Sequence, residues 1–123
     1  EDGKHRTPRC PMRFAIVAGD FILGGPTDNL FASKPPANFD VAILNPPYFK
    51  LRKDSPQARR MEHVVHGQPN IYALFMAQAA ELLVDGGELV AITPRSYFNG
   101  SYFRKFRKWF FDIMTVRQIH TFE

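Results

Sequence analysis

The chain has 123 residues, of which 45% are hydrophobic, and it carries a formal net charge of +4. This is enough for one hydrophobic core, and no run of about 18 apolar residues suggests a membrane span. A single cysteine, Cys10, excludes an internal disulfide, and the polar start lacks the apolar segment of a signal peptide, so the composition predicts a globular cytoplasmic protein.

The first segments in chain order are a polar lead-in and a short strand. Residues 1–12 have neither helical nor strand periodicity and are interpreted as linker-like. Residues 13–17 predict a strand that Gly19 closes, which leaves Asp20 at its carboxyl end. Glycines and prolines at 24–28 and 34–38 leave little room for a long helix before the next strand.

The apolar run 39–44 predicts a buried parallel strand, and Asn45-Pro46-Pro47-Tyr48 follows it directly. Chemistry in α/β folds is concentrated at the carboxyl ends of such strands. Residues 49–69 are polar and predict a long loop with a helical turn around 57–63.

Two further helix–strand units follow. Asn70 is predicted to cap a helix running to about residue 84, Gly86-Gly87 to stop it, and 88–93 to form a strand. A strand, a helix and a second strand in this order are typical of a parallel crossover, so the fold class is α/β. After a turn at 97–100, a second helix has an apolar face and a cap at Asn99 or Ser101, and 116–122 predicts a final strand. The apolar face consists of Phe103, Phe106, Phe110 and Ile113.

The segment from Asn45 to Tyr48 has two interpretations. Pro46-Pro47 can simply terminate the strand while Tyr48 packs on the edge of the core. Alternatively, an amide, two rigid residues without N–H groups and an aromatic ring suit the binding of a planar amino-bearing group such as a nucleobase. The flanking apolar strand argues against a third interpretation, an exposed proline-rich ligand.

Taken together, the motifs resemble those of S-adenosylmethionine-dependent DNA methyltransferases that modify the exocyclic amino group of adenine. The resemblance spans about residues 14–122 and depends on order and spacing. It rests on residues 19–21, 39–48, 70–75, 86–87 and 92–96. It implies a partial Rossmann-like methyltransferase fold, mostly a parallel sheet with flanking helices, truncated at both ends. Residues 1–123 are then a single partial catalytic domain, with 13–123 as the central and C-terminal part of the core.

For the catalytic segment, the resemblance implies that the Asn45 side-chain oxygen and the Pro46 carbonyl accept both hydrogens of the adenine amino group. Pro46 and Pro47 fix the backbone so that this carbonyl is preorganised. Tyr48 is implied to stack on a base that has been flipped out of the duplex.

The resemblance assigns Asp20, and with it Phe21, to the adenine ring of S-adenosylmethionine, whereas a strand-end turn is the structural alternative for Asp20. The family's glycine-rich cofactor loop, and the acidic residue that follows it, have no counterpart in this sequence. We therefore expect this chain to be a piece of a longer enzyme that does not methylate alone. A recognition domain or a companion restriction nuclease is expected outside it.

Two basic clusters are candidates for contact with DNA phosphates. The first, Lys50, Arg52, Lys53, Arg59 and Arg60, adjoins the predicted base pocket, so DNA contact is favoured for it. The second lies at 104–108 on the last helix, where a solvated helix face is the favoured interpretation. His63 and His66 lack further ligands in the sequence, so no metal site is predicted.

Two other functions remain open. The same acceptor geometry serves methylation of an RNA adenine or a protein glutamine amide, and a catalytically inactive remnant of the fold is the second alternative. A glycine-rich loop upstream in the complete reading frame would distinguish an enzyme from a remnant.

Overall fold

The computed structural model describes residues 16, 18–24 and 39–122. The lead-in, most of the strand predicted at 13–17 and the segment 34–38 lie outside the described residues. The elements are β1 Phe39–Leu44, α1 Pro56–Arg60, α2 Ile71–Leu82, β2 Leu83–Ala91, a 3-10 helix Arg95–Phe98 and α3 Arg104–Ile113. Among the described residues, no helix is long and apolar enough to cross a membrane.

β1 and β2 pair in parallel, which confirms the predicted crossover and the α/β class. α2 lies in the connection between them and begins where predicted, because the Asn70 side chain accepts a hydrogen bond from the Tyr72 N–H. Ser55 caps α1 in the same way, through the Ala58 N–H. This short helix overlaps the helical turn expected around 57–63.

β2 differs from the strand expected at 88–93, because it begins at Leu83 and includes both glycines. The helix therefore ends before Gly86-Gly87 and not because of them. Between the pairs Phe39–Leu83 and Val41–Glu88 the register shifts, and Gly86 has a φ of 80°. A Cβ on Gly87 would lie 2.9 Å from the Val84 carbonyl oxygen, so this close backbone approach requires glycine.

The core is built around α2, which is buried on nearly every side. Leu89 and Ala91 from one sheet face pack against this core, as do buried rings from α3 and from the residues preceding it. The other sheet face leaves Val41, Ile43 and Val90 more than half exposed, so the burial predicted for the strand at 39–44 is wrong. The packed face therefore connects the strand ends to α2 and α3.

The C-terminal third corrects two predictions. Neither Asn99 nor Ser101 caps α3 through its side chain, since the N-cap is Phe103 and the Arg104 N–H is bonded to the Ser101 backbone carbonyl. Ile113, expected on the buried face, is half exposed. Residues 116–122 are exposed and not in a strand, because no described strand edge pairs with them.

Phe106 provides a test of this packing. Its side chain is 1% exposed, whereas that of Phe111 on the same helix is 42% exposed. We expect Phe106→Ala to lower the free energy of unfolding by about 3–5 kcal/mol through lost burial and a cavity. Phe111→Ala should cost about 1 kcal/mol or less. Denaturant unfolding followed by the fluorescence of Trp109, the only tryptophan, measures both, and equal losses would contradict this core.

Candidate active site at the carboxyl ends of the strands

Asn45-Pro46-Pro47-Tyr48 follows β1 at the edge where β2 also ends. The two strand ends are joined by a hydrogen bond from the Ile92 N–H to the Leu44 carbonyl, 3.1 Å long. The Tyr48 hydroxyl donates to the Ile92 carbonyl at 2.9 Å and lies 3.3 Å from Asn45 Oδ1. The structure thus brings the amide and the ring of the predicted motif together across both strands.

Acceptors in this segment remain available for a ligand. The Tyr48 hydroxyl has one hydrogen, so it serves either Ile92 or Asn45 at a given moment, and the shorter distance is to Ile92. Asn45 is exposed, whereas Pro46 is buried and rigid. No donor among the described residues reaches the Pro46 carbonyl. The Asn45 amide oxygen and the Pro46 carbonyl are therefore acceptors of adjacent residues without a short hydrogen bond from the described residues.

Tyr72 supports this site from beneath, and the sequence prediction did not include it among the site residues. Its ring meets Tyr48 edge-on with centroids 6.2 Å apart, and its hydroxyl is 2.9 Å from Ser96 Oγ. Tyr72 is fully buried, and burial raises its pKa, so the hydroxyl stays protonated at neutral pH. A tyrosine among the apolar residues at the start of a helix was the available signal, because a buried phenol needs a hydrogen-bond partner.

Asp20 and Phe21 form a turn held by the two helices that follow β1. Asp20 accepts hydrogen bonds from the Leu23 N–H at 2.9 Å and from Gln57 Nε2 of α1 at 2.7 Å. Phe21 packs on Phe75 of α2, with ring centroids 5.1 Å apart. The turn is therefore present, and Gln57 is a partner of Asp20 that the sequence did not indicate. Each carboxylate oxygen retains a lone pair for a further donor.

The side chains of the first basic cluster lie in different environments. Lys50 forms an isolated antiparallel bridge with Asn70, and its Nζ lies 5.6 Å from the centre of the Tyr102 ring. Arg52 makes a two-bond ion pair with Asp54, at 2.7 and 3.1 Å, and its hydrogen bond lowers the pKa of that carboxyl. Lys53 and Arg59 are exposed, whereas Arg60 is partly buried.

Two side chains of the second basic cluster, at 104–108, have backbone partners among the described residues and two do not. Arg107 donates to the backbone carbonyls of Tyr97, Asn99 and Gly100 at 2.7–3.1 Å, so it fixes the turn before α3. Lys105 reaches the Glu62 backbone carbonyl on the segment between α1 and α2. The remaining two, Arg104 and Lys108, are exposed.

His63 contacts a carboxylate and an aromatic ring. His63 Nε2 is 2.6 Å from Glu81 Oε1, and its ring packs edge-on against Trp109. Within the part of the chain that the structure describes, no three His, Cys, Asp or Glu side chains are grouped to hold a metal ion.

Comparison with known proteins supplies the family. A model of the Eco57I restriction-modification methylase family matches residues 26–123. The chain belongs to this family. The matched segment includes Asn45 to Tyr48 and every helix and strand of the described fold, which is therefore a partial methyltransferase fold.

Curated relatives agree with this membership. The chain is 40% identical over 107 residues to the Type II methyltransferase M.PstI of Providencia stuartii, covering 87% of this chain and 21% of the relative. Identity to the Type II methyltransferase M.BsuBI of Bacillus subtilis is 38% over 91 residues, covering 74% and 18%. The chain thus spans about a fifth of the length of these relatives. No solved structure matches it significantly.

A third relative is named by its substrate. It is the tRNA1(Val) (adenine(37)-N6)-methyltransferase of Porphyromonas gingivalis, 32% identical over 83 residues, which are 68% of this chain and 31% of the relative. The name of this relative gives an RNA substrate, whereas the names of the two Type II methyltransferases give none.

Proposed function

We propose that the whole enzyme containing this chain transfers a methyl group from S-adenosylmethionine to the exocyclic amino group of a flipped-out adenine in DNA. The observation that carries the proposal is the juxtaposition of Asn45 and Tyr48 at the ends of two parallel strands. The similarity to two relatives that are both named as Type II methyltransferases supports it.

Asn45 and Pro46 would activate the amino nitrogen. Its lone pair is delocalised into the adenine ring, which makes it a poor nucleophile. If Asn45 Oδ1 and the Pro46 carbonyl each accept one amino hydrogen, the nitrogen is held in a tetrahedral shape and its developing positive charge is stabilised. Pro46 and Pro47 reduce the reorganisation required, since their φ angles are fixed. S-adenosylmethionine supplies the electrophilic methyl group when bound.

Tyr48 would hold the target base. Its ring is 50% exposed, so one face remains open for stacking, while its hydroxyl is anchored on Ile92. Flipping a base costs a few kcal/mol, and stacking on an aromatic ring returns about 1–3 kcal/mol. Contacts to phosphates are needed to supply the rest of the flipping cost. Lys50, Lys53 and Arg59 are the exposed members of the first basic cluster that form no ion pair among the described residues. Arg52 and Arg60 were predicted with them, but Arg52 is already paired with Asp54.

The turn at Asp20 would hold the adenine ring of the cofactor. Asp20 accepts from Leu23 and Gln57 and still has lone pairs for the ring's amino group, and Phe21 is 36% exposed beside it. The residues present fit one part of the cofactor. Since no glycine-rich loop occurs in the sequence, the rest of the cofactor site is proposed to lie elsewhere in the whole enzyme. A cytoplasmic enzyme with a separate recognition domain or companion nuclease is part of this proposal.

RNA adenine is the second candidate substrate, because the Porphyromonas gingivalis relative is named as a tRNA methyltransferase. Its name also supports the N6 position of adenine as the acceptor. The Type II methyltransferases are matched at higher identity and over more of this chain, which favours DNA.

One experiment separates these functions. The whole enzyme is incubated with methyl-labelled S-adenosylmethionine and, separately, duplex DNA, tRNA or a glutamine peptide. The products are then digested and analysed by mass spectrometry. We expect N6-methyladenine from duplex DNA alone, and no product when the 123-residue chain replaces the whole enzyme. Label confined to RNA or peptide would refute the DNA assignment, and turnover by the 123-residue chain would refute its incompleteness.

A further inference from the structure

We propose that a groove between the 53–69 segment and the start of α3 holds the phosphate backbone of the substrate DNA. This basic groove is lined by Lys53 and Arg59 on one side and by Lys105 on the other. The inference rests on the proposed function. It extends that function, because it joins the first basic cluster to one lysine of the second, which the sequence assigned to a solvated helix face.

The three cations retain capacity for an anion. Among the described residues, neither Lys53 nor Arg59 forms an ion pair. Lys105 donates one hydrogen to the Glu62 carbonyl, and an ammonium group has two more. This contact also holds the Lys105 side chain against the 53–69 segment, so the ammonium group of Lys105 lies in the lining of the groove.

The carboxylates in the lining reduce the positive charge without cancelling it. Asp54 is engaged by Arg52, which leaves Glu62 as the carboxylate facing Lys53, Arg59 and Lys105. Two histidines, His63 and His66, are the other titratable groups in the lining of the groove. His63 is paired with Glu81, which lies outside it.

The shape of the groove favours a polymer over a small ligand. Its volume is about 730 Å³ and it is open to solvent. Small-molecule sites enclose most of the ligand surface, whereas this groove is open and is lined by three cationic side chains, Lys53, Arg59 and Lys105. An open channel with spaced Lys and Arg side chains matches the repeated charges of a nucleic-acid strand.

The groove is connected to the candidate active site. Lys50, two residues after Tyr48, lies over the Tyr102 ring at 5.6 Å. Tyr102 and His66 line one small cleft, and His66 also lines the basic groove. A strand whose base enters beside Tyr48 can therefore continue past Lys50 and Tyr102 into the groove.

The test uses the whole enzyme and fluorescence anisotropy with a labelled duplex from 50 to 200 mM salt. The slope of the logarithm of the binding constant against the logarithm of salt concentration is negative. Lys53→Gln combined with Lys105→Gln should reduce its magnitude by about 2, and by the same amount for unrelated duplexes. Lys108→Gln on the same helix is the matched control, since Lys108 is exposed but outside the groove. Melting temperatures of the variants check that they fold.

The outcomes are distinguishable. An unchanged slope in the double variant, or an equal fall in Lys108→Gln, overturns the groove while leaving methyl transfer to DNA intact. A slope change with tRNA but not with duplex DNA also overturns it. If the unmodified enzyme neither binds nor methylates DNA, the proposed function fails, and the groove proposal fails with it.

Discussion

Asn45→Ala in the whole enzyme is expected to abolish methyl transfer, with kcat falling at least about 100-fold. The substitution removes one of two acceptors for the amino group and leaves the Pro46 carbonyl alone. Because Asn45 is exposed and contacts Tyr48 at 3.3 Å, its loss should not disturb the packed core. Single-turnover rates with methyl-labelled cofactor measure the effect.

Binding separates a catalytic role for Asn45 from a structural one. Affinities for DNA and S-adenosylmethionine should survive largely intact in Asn45→Ala. Asn99→Ala is the control, since Asn99 is also exposed and uses its backbone carbonyl to bind Arg107. Activity of Asn45→Ala equal to that of the control would refute the assignment of Asn45.

Tyr48 should have the second-largest effect, and the ring should matter more than the hydroxyl. Tyr48→Ala is expected to weaken engagement of the target base by about 1–3 kcal/mol, since the stacking surface is lost. Tyr48→Phe keeps the ring and removes only the hydroxyl, which shares one hydrogen between the Ile92 carbonyl and Asn45 Oδ1. Because this side chain is half exposed, the cost should be below about 1 kcal/mol.

Base flipping can be followed directly with 2-aminopurine at the target position, whose fluorescence rises when it leaves the stack. Tyr48→Ala should reduce this rise and Tyr48→Phe should largely preserve it. Phe111→Ala is the control for loss of an exposed ring elsewhere. A loss in Tyr48→Phe as large as that in Tyr48→Ala would show that hydrogen bonding, and not stacking, is the main contribution.

Local patterns predicted the elements that depend on nearby residues. The Asn70 cap, the helix that follows it and the parallel pairing of the flanking strands are all confirmed. These features are encoded by a capping side chain, by apolar periodicity and by the length of the crossover. The α3 cap predicted at Asn99 or Ser101 was wrong. The Arg104 N–H bonds to the Ser101 backbone carbonyl, and the Arg107 guanidinium donates to the Asn99 backbone carbonyl, so neither side chain caps the helix.

Features that depend on distant partners were predicted less well. The strand at 116–122 was inferred from its composition, but a strand also requires an edge to pair with. Glycines at 86 and 87 were interpreted as a helix stop, whereas a Cβ on Gly87 would lie 2.9 Å from the Val84 carbonyl oxygen of the same strand and 3.1 Å from the Asp40 carbonyl oxygen of β1. Neither the Gln57 bond to Asp20 nor the contact of Lys105 with Glu62 has a signal in the sequence.

The sequence by itself determined the α/β class and the place of Asn45-Pro46-Pro47-Tyr48 after a strand, because both follow from local periodicity and composition. Tertiary structure decided which groups meet there. It placed the Tyr48 hydroxyl on Ile92, 44 residues further along the chain, and divided the basic side chains among an ion pair, a turn and an open groove. Such contacts depend on how separate elements pack, and each residue's own neighbours in sequence do not specify them.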